Sequence, residues 1–297
     1  MFPLRHSYLV PLPHGSGLSL GERPLVMGVL NVTPDSFADA KRFSAGTAIE
    51  AAFEMEAAGA DIIDVGGEST RPGAVPVPED EELRRIVPVL RGLAGRLGIP
   101  ISIDTYKAAV ARVAIGEGAA LVNDISGLHY DADMARTIAE GRAALVLMHT
   151  RGRSTDMYAQ AQYGDVVEDV ARELRDSLKA AATAGVPLEC IVIDPGIGFA
   201  KRPAHSYGLL ARVAELAALL QRPVLVGASR KSFMREALGD RPPIERDWGT
   251  AAAVTAAVLG GAHIVRVHAV AQMVQVVRVA EATRRHGRIN GSGRITS

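Results

Sequence analysis

The sequence predicts an α/β protein whose one large domain is a (β/α)8 barrel, the TIM-barrel architecture. Eight short and almost entirely apolar runs occur along the chain, each with the length of a strand buried on both faces. Longer amphipathic stretches separate them, which indicates alternating strands and helices around a parallel sheet. The runs are LVMGVL (25–30), DIIDV (61–65), PISI (100–103), ALVND (120–124), AALVLM (143–148), CIVID (190–194), PVLVG (223–227) and HIVRV (263–267).

The stretches between these runs have the pattern of helices. Residues 48–59, 80–98 and 165–185 are clear examples, and each ends in a glycine, which is typical of a left-handed helix C-cap. A count of eight strands favours a closed barrel. The pattern alone also fits an open, doubly wound sheet.

The chain is expected to form one domain with two short flanking segments. Residues 1–23 carry turn signals at Pro13 and at 15–17 and should form a hairpin-like extension under the barrel. Residues 24–287 contain all eight predicted strands without a Pro-, Gly- or Ser-rich linker. Residues 288–297, RINGSGRITS, have the composition of a disordered tail.

Composition argues against several classes of function. The 33 basic and 33 acidic residues give no net charge, so neither nucleic acid nor an anionic membrane is an expected partner. The single cysteine, Cys190, rules out an intrachain disulfide and a cysteine-based metal site. No apolar stretch approaches the ~18 residues of a membrane span, and the N-terminus does not resemble a signal peptide. A cytoplasmic protein is therefore expected.

Polar side chains end almost every predicted strand. In a (β/α)8 barrel these ends meet at one rim, which holds the active site. Helix capping or turn formation explains any single one equally well, since Asp and Asn favour those positions. A nearly complete ring, however, predicts a ligand site. Its members are Asn31, Asp64, Asp104, Asn123, His149, Asp194, residues 229–231, Arg266 and His268.

The loops on this rim predict that it binds an anion. Glycine lets backbone amides approach a ligand closely, and Arg71, Arg230, Lys231 and Arg266 supply positive charge. Phosphate sites in this fold often use the loops after the seventh and eighth strands. The glycine-containing loops are GGESTRPG (66–73), DPGIGF (194–199) and GASRKSF (227–233).

Eight motifs follow one another between residues 31 and 268: NVTPDSF, IDVGGESTRPG, SIDTYK, NDISG, LMHTRG, IDPGIGF, SRKSF and IVRVH. In this order they closely resemble the motifs of the dihydropteroate synthase family. The resemblance implies an enzyme that condenses 6-hydroxymethyl-7,8-dihydropterin pyrophosphate with p-aminobenzoate, giving 7,8-dihydropteroate and pyrophosphate. Sulfonamides compete with p-aminobenzoate in this family.

The resemblance also implies a pterin pocket. Asp194 matches the carboxylate that accepts two adjacent N–H groups of the pterin, an arrangement that gives orientation as well as energy. Lys231 matches the residue that contacts the ring carbonyl and a ring nitrogen, and Arg266 the guanidinium that covers the pterin face. Further matches are Asp104, Asn123 and Met148, although a core methionine explains the last nearly as well.

Other matches concern the pyrophosphate and the metal. Asn31, Arg266 and His268 should hold the pyrophosphate, and Asn31 should also ligate Mg²⁺, which is expected to bind mainly with the substrate. The catalytic residues implied in this way are Lys231, Arg266 and His268. Asp35 is the fourth catalytic candidate and should organise the first loop over the reacting centre. No strong base is needed, because a neutral arylamine is already nucleophilic.

The p-aminobenzoate site is expected to form from three loops. Thr70 and Arg71 lie after the second strand, and Phe199 should pack on the benzene ring, although a core aromatic is an alternative. Ser232, at the start of the helix after the seventh strand, should receive the carboxylate at that helix N-terminus. Members of the family are commonly homodimers, and residues 251–261 are either an interface or a buried barrel helix.

Two departures leave alternatives open. Ala269 replaces an Asp that often follows the last-strand histidine, and residues 38–41 replace a Ser-Asp-Gly-Gly segment. These changes support a pterin-binding paralogue without catalytic activity. A corrinoid-dependent methyltransferase using methyltetrahydrofolate shares the barrel and pterin contacts, but it does not need the SRKSF and STRPG segments present here.

Overall fold

The structure, a computed structural model, describes residues 2–15, 17–33, 45–69 and 73–287. Within these residues an antiparallel hairpin precedes eight parallel strands. The hairpin strands are β1 (Tyr8–Pro11) and β2 (Gly17–Leu20). The parallel strands are β3 (Leu25–Asn31), β4 (Ile62–Gly66), β5 (Ile101–Asp104), β6 (Leu121–Asp124), β7 (Ala144–Met148), β8 (Ile191–Asp194), β9 (Leu225–Val226) and β10 (Ile264–Val267).

The strand order confirms the predicted barrel over the open sheet. Neighbouring strands pair in the order β8-β7-β6-β5-β4-β3-β10-β9. The two ends of this series meet where Ile193 of β8 forms a parallel bridge with Val224, directly before β9. Each strand starts and ends within two residues of its predicted bounds, because a buried parallel strand needs a continuous apolar run.

Helices follow the strands as the sequence predicts. The helix predicted over 80–98 ends earlier, at Leu93, where Gly95 turns the chain with a φ of +68°. The helices are α1 (Ala45–Ala57), α2 (Glu79–Leu93), α3 (Ala108–Gly116), α4 (Met134–Gly141), α5 (Val166–Thr183), α6 (Pro203–Ala211), α7 (Val213–Leu220), α8 (Arg235–Leu238), α9 (Asp247–Leu259) and α10 (Val270–His286).

Side chains of the strands divide into two apolar cores. Those on the outer face pack against the surrounding helices in one large cluster, while those on the inner face of the lower barrel form a second cluster. Because side chains alternate between faces along a strand, a strand with an apolar inward residue near its start carries another inward residue two positions later. The inward apolar residues include Met27, Ile62, Leu121, Val192 and Ile264.

The predicted N-terminal hairpin is present and closes the bottom of the barrel. Val10, Leu18 and Leu20 of the hairpin belong to the inner cluster. His263 ties the two parts together: its Nδ1 accepts the N–H of Val224 at 3.1 Å, and its Nε2 lies 3.0 Å from the carbonyl of His6. Burial lowers the pKa of His263 to about 4, so the imidazole is neutral near pH 7 and Nε2 carries the proton. No helix in the described ranges has the length and apolar character needed to cross a membrane.

Candidate active site

The carboxyl ends of the strands bring most of the predicted pterin residues together inside the barrel mouth. Asp104, Asn123, Met148 and Asp194 are buried and stand at or next to the last residue of β5 to β8, and the buried Asp64 stands two residues before the end of β4. On β4, β6 and β8 these residues lie two positions after an inward apolar residue, so the same alternation that fills the lower barrel directs them to its upper interior.

Arg266 lies between two carboxylates in this mouth. Its Nε is 2.6 Å from Asp64 Oδ2, and its Nη2 is 2.5 Å from Asp104 Oδ2. Asn123 adds a hydrogen bond from its Nδ2 to Asp64 Oδ2 at 3.0 Å. The guanidinium is therefore held in place by two opposite charges, and its plane is fixed before any ligand arrives.

Each of these carboxylates keeps one oxygen free. Asp64 Oδ1 and Asp104 Oδ1 are buried and have no hydrogen-bond partner among the described residues. Burial raises the pKa of Asp104, an effect that the charge of Arg266 opposes. A buried acceptor without a partner costs about 1–3 kcal/mol. A ligand that offers N–H groups at this depth would recover that energy.

Asp194 lies near a lysine across the mouth. Its Oδ1 accepts the N–H of Gly196 at 2.7 Å. Burial raises the pKa of Asp194, while the charge of Lys231 and the Gly196 bond lower it. Burial likewise lowers the pKa of Lys231 to about 8, against the attraction of Asp194. The pair thus places an acceptor and a cation at the same edge of the cavity.

The turn after β8 carries Phe199 to the rim. Lys231 donates from Nζ to the carbonyl of Ile197 at 2.6 Å and lies 4.3 Å from the centroid of the Phe199 ring. Phe199 is half-buried, whereas its neighbours in the turn are buried. An aromatic ring that is still partly open and next to a cation is suited to cover a flat ligand.

His268 and Asn31 stand at the other side of the mouth. His268 Nδ1 lies 3.0 Å from the hydroxyl of Ser229, so Ser229 supports the imidazole although residue 269 is an alanine. Asn31 is half-buried at the end of β3. A Cβ placed on Gly66 would lie 3.9 Å from Asn31 Oδ1 and 3.8 Å from Asp104 Oδ2, so these two oxygens flank the same glycine.

Ser232 lies on the rim beside Tyr158. Its hydroxyl is 3.2 Å from the Tyr158 hydroxyl, which also lies 3.5 Å from the carbonyl of Gly198. The helix predicted to begin here is a 3-10 turn over Ser232–Met234, followed by the four residues of α8. The predicted helix N-terminus is therefore too short to supply a substantial dipole, and the hydroxyl itself is the group available to a ligand.

The loop after β4 is anchored at both ends. Glu68 accepts the Tyr106 hydroxyl at 2.7 Å, the Lys107 ammonium at 2.5 Å and the N–H of Val77 at 3.2 Å. Where the chain resumes, the N–H of Gly73 bonds the carbonyl of Ser154 at 3.0 Å. The predicted residues Thr70 and Arg71 come between these two anchors in the sequence and lie outside the described residues. Asp35, which follows β3, also lies outside the described residues.

Two polar residues of the predicted ring do not face the mouth. Arg230, one of the cations predicted on the rim, forms a two-pronged ion pair with Asp247 at the start of α9, at 2.7 and 2.8 Å, and is therefore already paired. His149 follows the inward Met148 and its Nε2 bonds Glu173 of α5 instead. Successive side chains of a strand point to opposite faces, so the residue directly after the inward-facing Met148 points outward. The position of His149 in the sequence therefore already indicated its direction.

Two residues important to the geometry were missed. Asp64 was seen as a rim residue but given no role, although it holds Arg266. Lys201 was not considered at all, yet it is one of the largest fully buried side chains. A lysine directly after a glycine-rich loop looks like an exposed residue in the sequence, so no local signal indicates that it is buried.

Comparison with known proteins identifies the class of enzyme. Residues 27–268 match the family described as "Pterin binding enzyme". The matched range includes every residue of the mouth described above, and the chain belongs to this family.

Similar proteins then indicate the particular member. A curated relative from Synechocystis, "Dihydropteroate synthase", is 46% identical over 92% of this chain and 94% of its own length. A structure of the Xanthomonas albilineans dihydropteroate synthase with 4-aminobenzoic acid is 40% identical with a TM-score of 0.86, covering 94% of this chain and 99% of that one. The Burkholderia cenocepacia enzyme complexed with 7,8-dihydropteroate is 39% identical with a TM-score of 0.85, covering 98% of this chain and all of that one.

Proposed function

We propose that the protein is a dihydropteroate synthase, which condenses 6-hydroxymethyl-7,8-dihydropterin pyrophosphate with p-aminobenzoate. The observation that carries this assignment is the barrel mouth itself. Buried carboxylates of Asp64, Asp104 and Asp194 offer acceptors to the N–H groups of a pterin, while Arg266 and Lys231 offer cations to its carbonyl and pyrophosphate. The likeness to synthases that were solved with aminobenzoate and with the product supports the same reaction.

The chain's own residues would bind and orient the two substrates. Asp194 and Asn123 fix the pterin edge, and Arg266, held by Asp64 and Asp104, lies over the ring and reaches toward the pyrophosphate. As the C–O bond breaks, its electron pair leaves with the pyrophosphate and the electron-rich dihydropterin stabilises the methylene cation. Arg266 and His268 face the departing charge, which is electrostatic stabilisation in a desolvated site.

The aminobenzoate is bound by the outer residues. We place its ring against Phe199 and its carboxylate at the Ser232 hydroxyl, with Thr70 and Arg71 closing over it. The lone pair of the neutral arylamine then forms the C–N bond, and the amine loses a proton to water or to a phosphate oxygen. Holding the amine in line is a positioning effect that needs no strong base.

Asn31 is our candidate to hold Mg²⁺ on the pyrophosphate. The described residues contain no cluster of three or more His, Cys, Asp or Glu side chains that could hold a metal. A single amide oxygen at the rim nevertheless fits a magnesium ion that takes its remaining ligands from phosphate and water. Bound in this way, the ion supplies charge neutralisation to the leaving group.

The proposed function is tested by the release of pyrophosphate. Purified protein with Mg²⁺ and pterin pyrophosphate is expected to release pyrophosphate in repeated turnovers only after p-aminobenzoate is added, because the amine must trap the pterin cation before the next cycle can begin. Chelating the metal should stop turnover, and a sulfonamide should raise the KM for p-aminobenzoate without changing kcat. Tight pterin binding without any turnover would instead favour the inactive paralogue, for which Ala269 and residues 38–41 are the observations.

We further propose that the protein forms homodimers through α9. Residues 251–261 were predicted to be either an interface or a buried barrel helix, and the two faces of α9 differ in this respect. One face is buried against the barrel, while the opposite face is exposed. The buried residues include Ala253, Val254, Ala257 and Val258. Trp248 on that face is 89% exposed, and Ile244 just before the helix is 63% exposed. Large apolar side chains this exposed are typical of a protein interface.

The cytoplasmic location expected from the sequence stays a prediction.

Sedimentation equilibrium tests the dimer. The wild-type protein should sediment with twice the chain mass, and Trp248→Ser should shift the equilibrium toward the monomer by at least tenfold in Kd, because tryptophan is a common hot-spot residue in interfaces. Leu9→Ser is the matched control, since Leu9 is 64% exposed but lies on the hairpin at the other end of the barrel. Equal effects of both variants, or a monomeric wild type, would argue against α9 as the interface.

A further inference from the structure

A fully buried lysine lies behind the turn that follows β8. Lys201 is 1% exposed. Its ammonium lies 2.8 Å from His149 Nδ1, 3.0 Å from the carbonyl of Phe199 and 3.4 Å from the carbonyl of His149. Burial lowers the pKa of Lys201 well below its ordinary value, while the charge of Asp194 opposes that shift. The three acceptors around Nζ favour the ammonium form, because an ammonium group has three N–H donors and no acceptor.

The state of His149 makes the lysine a donor to all three. His149 Nε2 lies 2.9 Å from Glu173 Oε2, and Arg151 Nε donates to the same oxygen at 3.0 Å. Burial lowers the pKa of His149 to about 4, so the ring is neutral. Because the ionised carboxylate can accept but not donate, Nε2 carries the proton and Nδ1 presents its lone pair to Lys201.

The same turn approaches β7 very closely. Gly196 adopts a φ of +66°, and a Cβ placed on it would lie 1.9 Å from the carbonyl oxygen of His149. This is the carbonyl that Lys201 also contacts. The turn therefore rests on His149 at its first glycine and is tied back to His149 at Phe199 through the ammonium of Lys201.

Lys201 thus holds the backbone of Phe199, whose ring lies at the mouth of the barrel. The Phe199 carbonyl accepts from Lys201, while the Phe199 ring lies 4.3 Å from the Lys231 ammonium. Lys231 itself is bonded to Ile197, two residues earlier in the turn. A loss of the Lys201 bond would release the Phe199 carbonyl and leave the Phe199 backbone held by its N–H bond to the Gly196 carbonyl at 3.0 Å. The ring could then shift away from the rim.

We propose that Lys201 is a positioning residue, which holds the turn of residues 196–199 so that the Phe199 ring stands in place to receive p-aminobenzoate. The inference rests on the proposed function, in which Phe199 packs against the aminobenzoate ring. Lys201 touches neither substrate, so it acts through Phe199, and its effect should fall on aminobenzoate far more than on the pterin.

The test compares substrate constants in two variants. Lys201→Met keeps most of the buried volume but removes all three donors, and it is expected to raise the KM for p-aminobenzoate about tenfold. Phe199→Ala, which removes the ring itself, should raise the same KM at least as much. The tenfold rise in KM corresponds to about 1.4 kcal/mol. The Kd for pterin pyrophosphate, measured by calorimetry without p-aminobenzoate, should stay within about twofold in both variants, because neither side chain is placed against the pterin.

A control separates positioning from general loss of stability. His263→Leu also removes two buried hydrogen bonds, but at the floor of the barrel, so it should lower the Tm without changing either constant. Should Lys201→Met not fold, Lys201→Gln takes its place, because the shorter side chain ends in an amide with two N–H donors and should give an intermediate KM.

A spectroscopic measurement reports on the ring directly. With 4-fluorophenylalanine at the six phenylalanines, the ¹⁹F resonance of Phe199, assigned by its loss in Phe199→Leu, should move and broaden in the Lys201 variant but not in His263→Leu. An unchanged KM and an unchanged resonance, with Phe199→Ala still impaired, would overturn the role of Lys201 and leave the synthase assignment intact. A wild-type protein without turnover would contradict the assignment itself.

Discussion

Replacing Asp194 with asparagine is expected to lower kcat/KM about 1,000-fold, the largest effect of any single conservative change in the mouth. The carboxylate is buried and can accept two N–H groups, whereas an amide presents one acceptor and one donor. The mutant would therefore turn an N–H toward an N–H of the pterin. Two charge-assisted hydrogen bonds lost in this way amount to about 4 kcal/mol.

Calorimetry with pterin pyrophosphate and the release of pyrophosphate measure this loss. Asp124→Asn is the matched control, because Asp124 ends β6, which β7 separates from β8, and is turned outward, where it accepts the N–H groups of Ser126 and Leu128 at 2.8 and 2.7 Å. That variant should lose stability and keep its pterin affinity. If instead both variants lost pterin affinity equally, Asp194 would have no special role as the pterin anchor.

Replacing Arg266 with glutamine is expected to damage both stability and activity. The guanidinium is the cation between Asp64 and Asp104, and breaking a buried pair costs about 3–5 kcal/mol because an uncompensated charge remains. The pKa of Asp104 should rise further without its cation. An acid whose folded-state pKa is raised binds more protons when folded, so the defect should be largest at pH 8 and smaller near pH 5.

Urea unfolding at these two pH values, set against the wild type, checks the prediction. In Arg266→Gln the carboxylates of Asp64 and Asp104 both lose their cation. The double variant Asp104→Asn, Arg266→Gln also removes one of these two carboxylate charges and should recover part of the stability at pH 8. It should not recover activity, because the cation over the pterin is still missing. A stability loss independent of pH, or a double variant as unstable as Arg266→Gln, would contradict the charge argument.

The architecture was predictable because it depends on local patterns. Runs such as CIVID and ALVND show where strands are buried on both faces, and the amphipathic stretches between them show where helices cover the sheet. Because the ends of parallel strands must meet at one rim, the sequence also placed Asp104, Asn123 and Asp194 together. Their close approach in the barrel mouth follows the same reasoning.

The predictions that were wrong concern residues whose side chains point away from the mouth, toward partners that are distant in the sequence. Arg230 and His149 were counted on the rim, but they turn toward Asp247 and Glu173. The helix expected to begin at Ser232 is a short 3-10 turn, which the sequence did not distinguish from a full helix.

The sequence by itself determined the fold class, the order of the strands along the chain and the set of groups available to a pterin, because each depends on spacing along the backbone. The tertiary structure decided which of those groups are paired before any ligand binds. The bonds of Arg266 with Asp64 and of Lys201 with His149 join residues 202 and 52 positions apart. Pairings over such distances exist only once the barrel has closed and excluded water, since burial then makes each unpaired polar group costly.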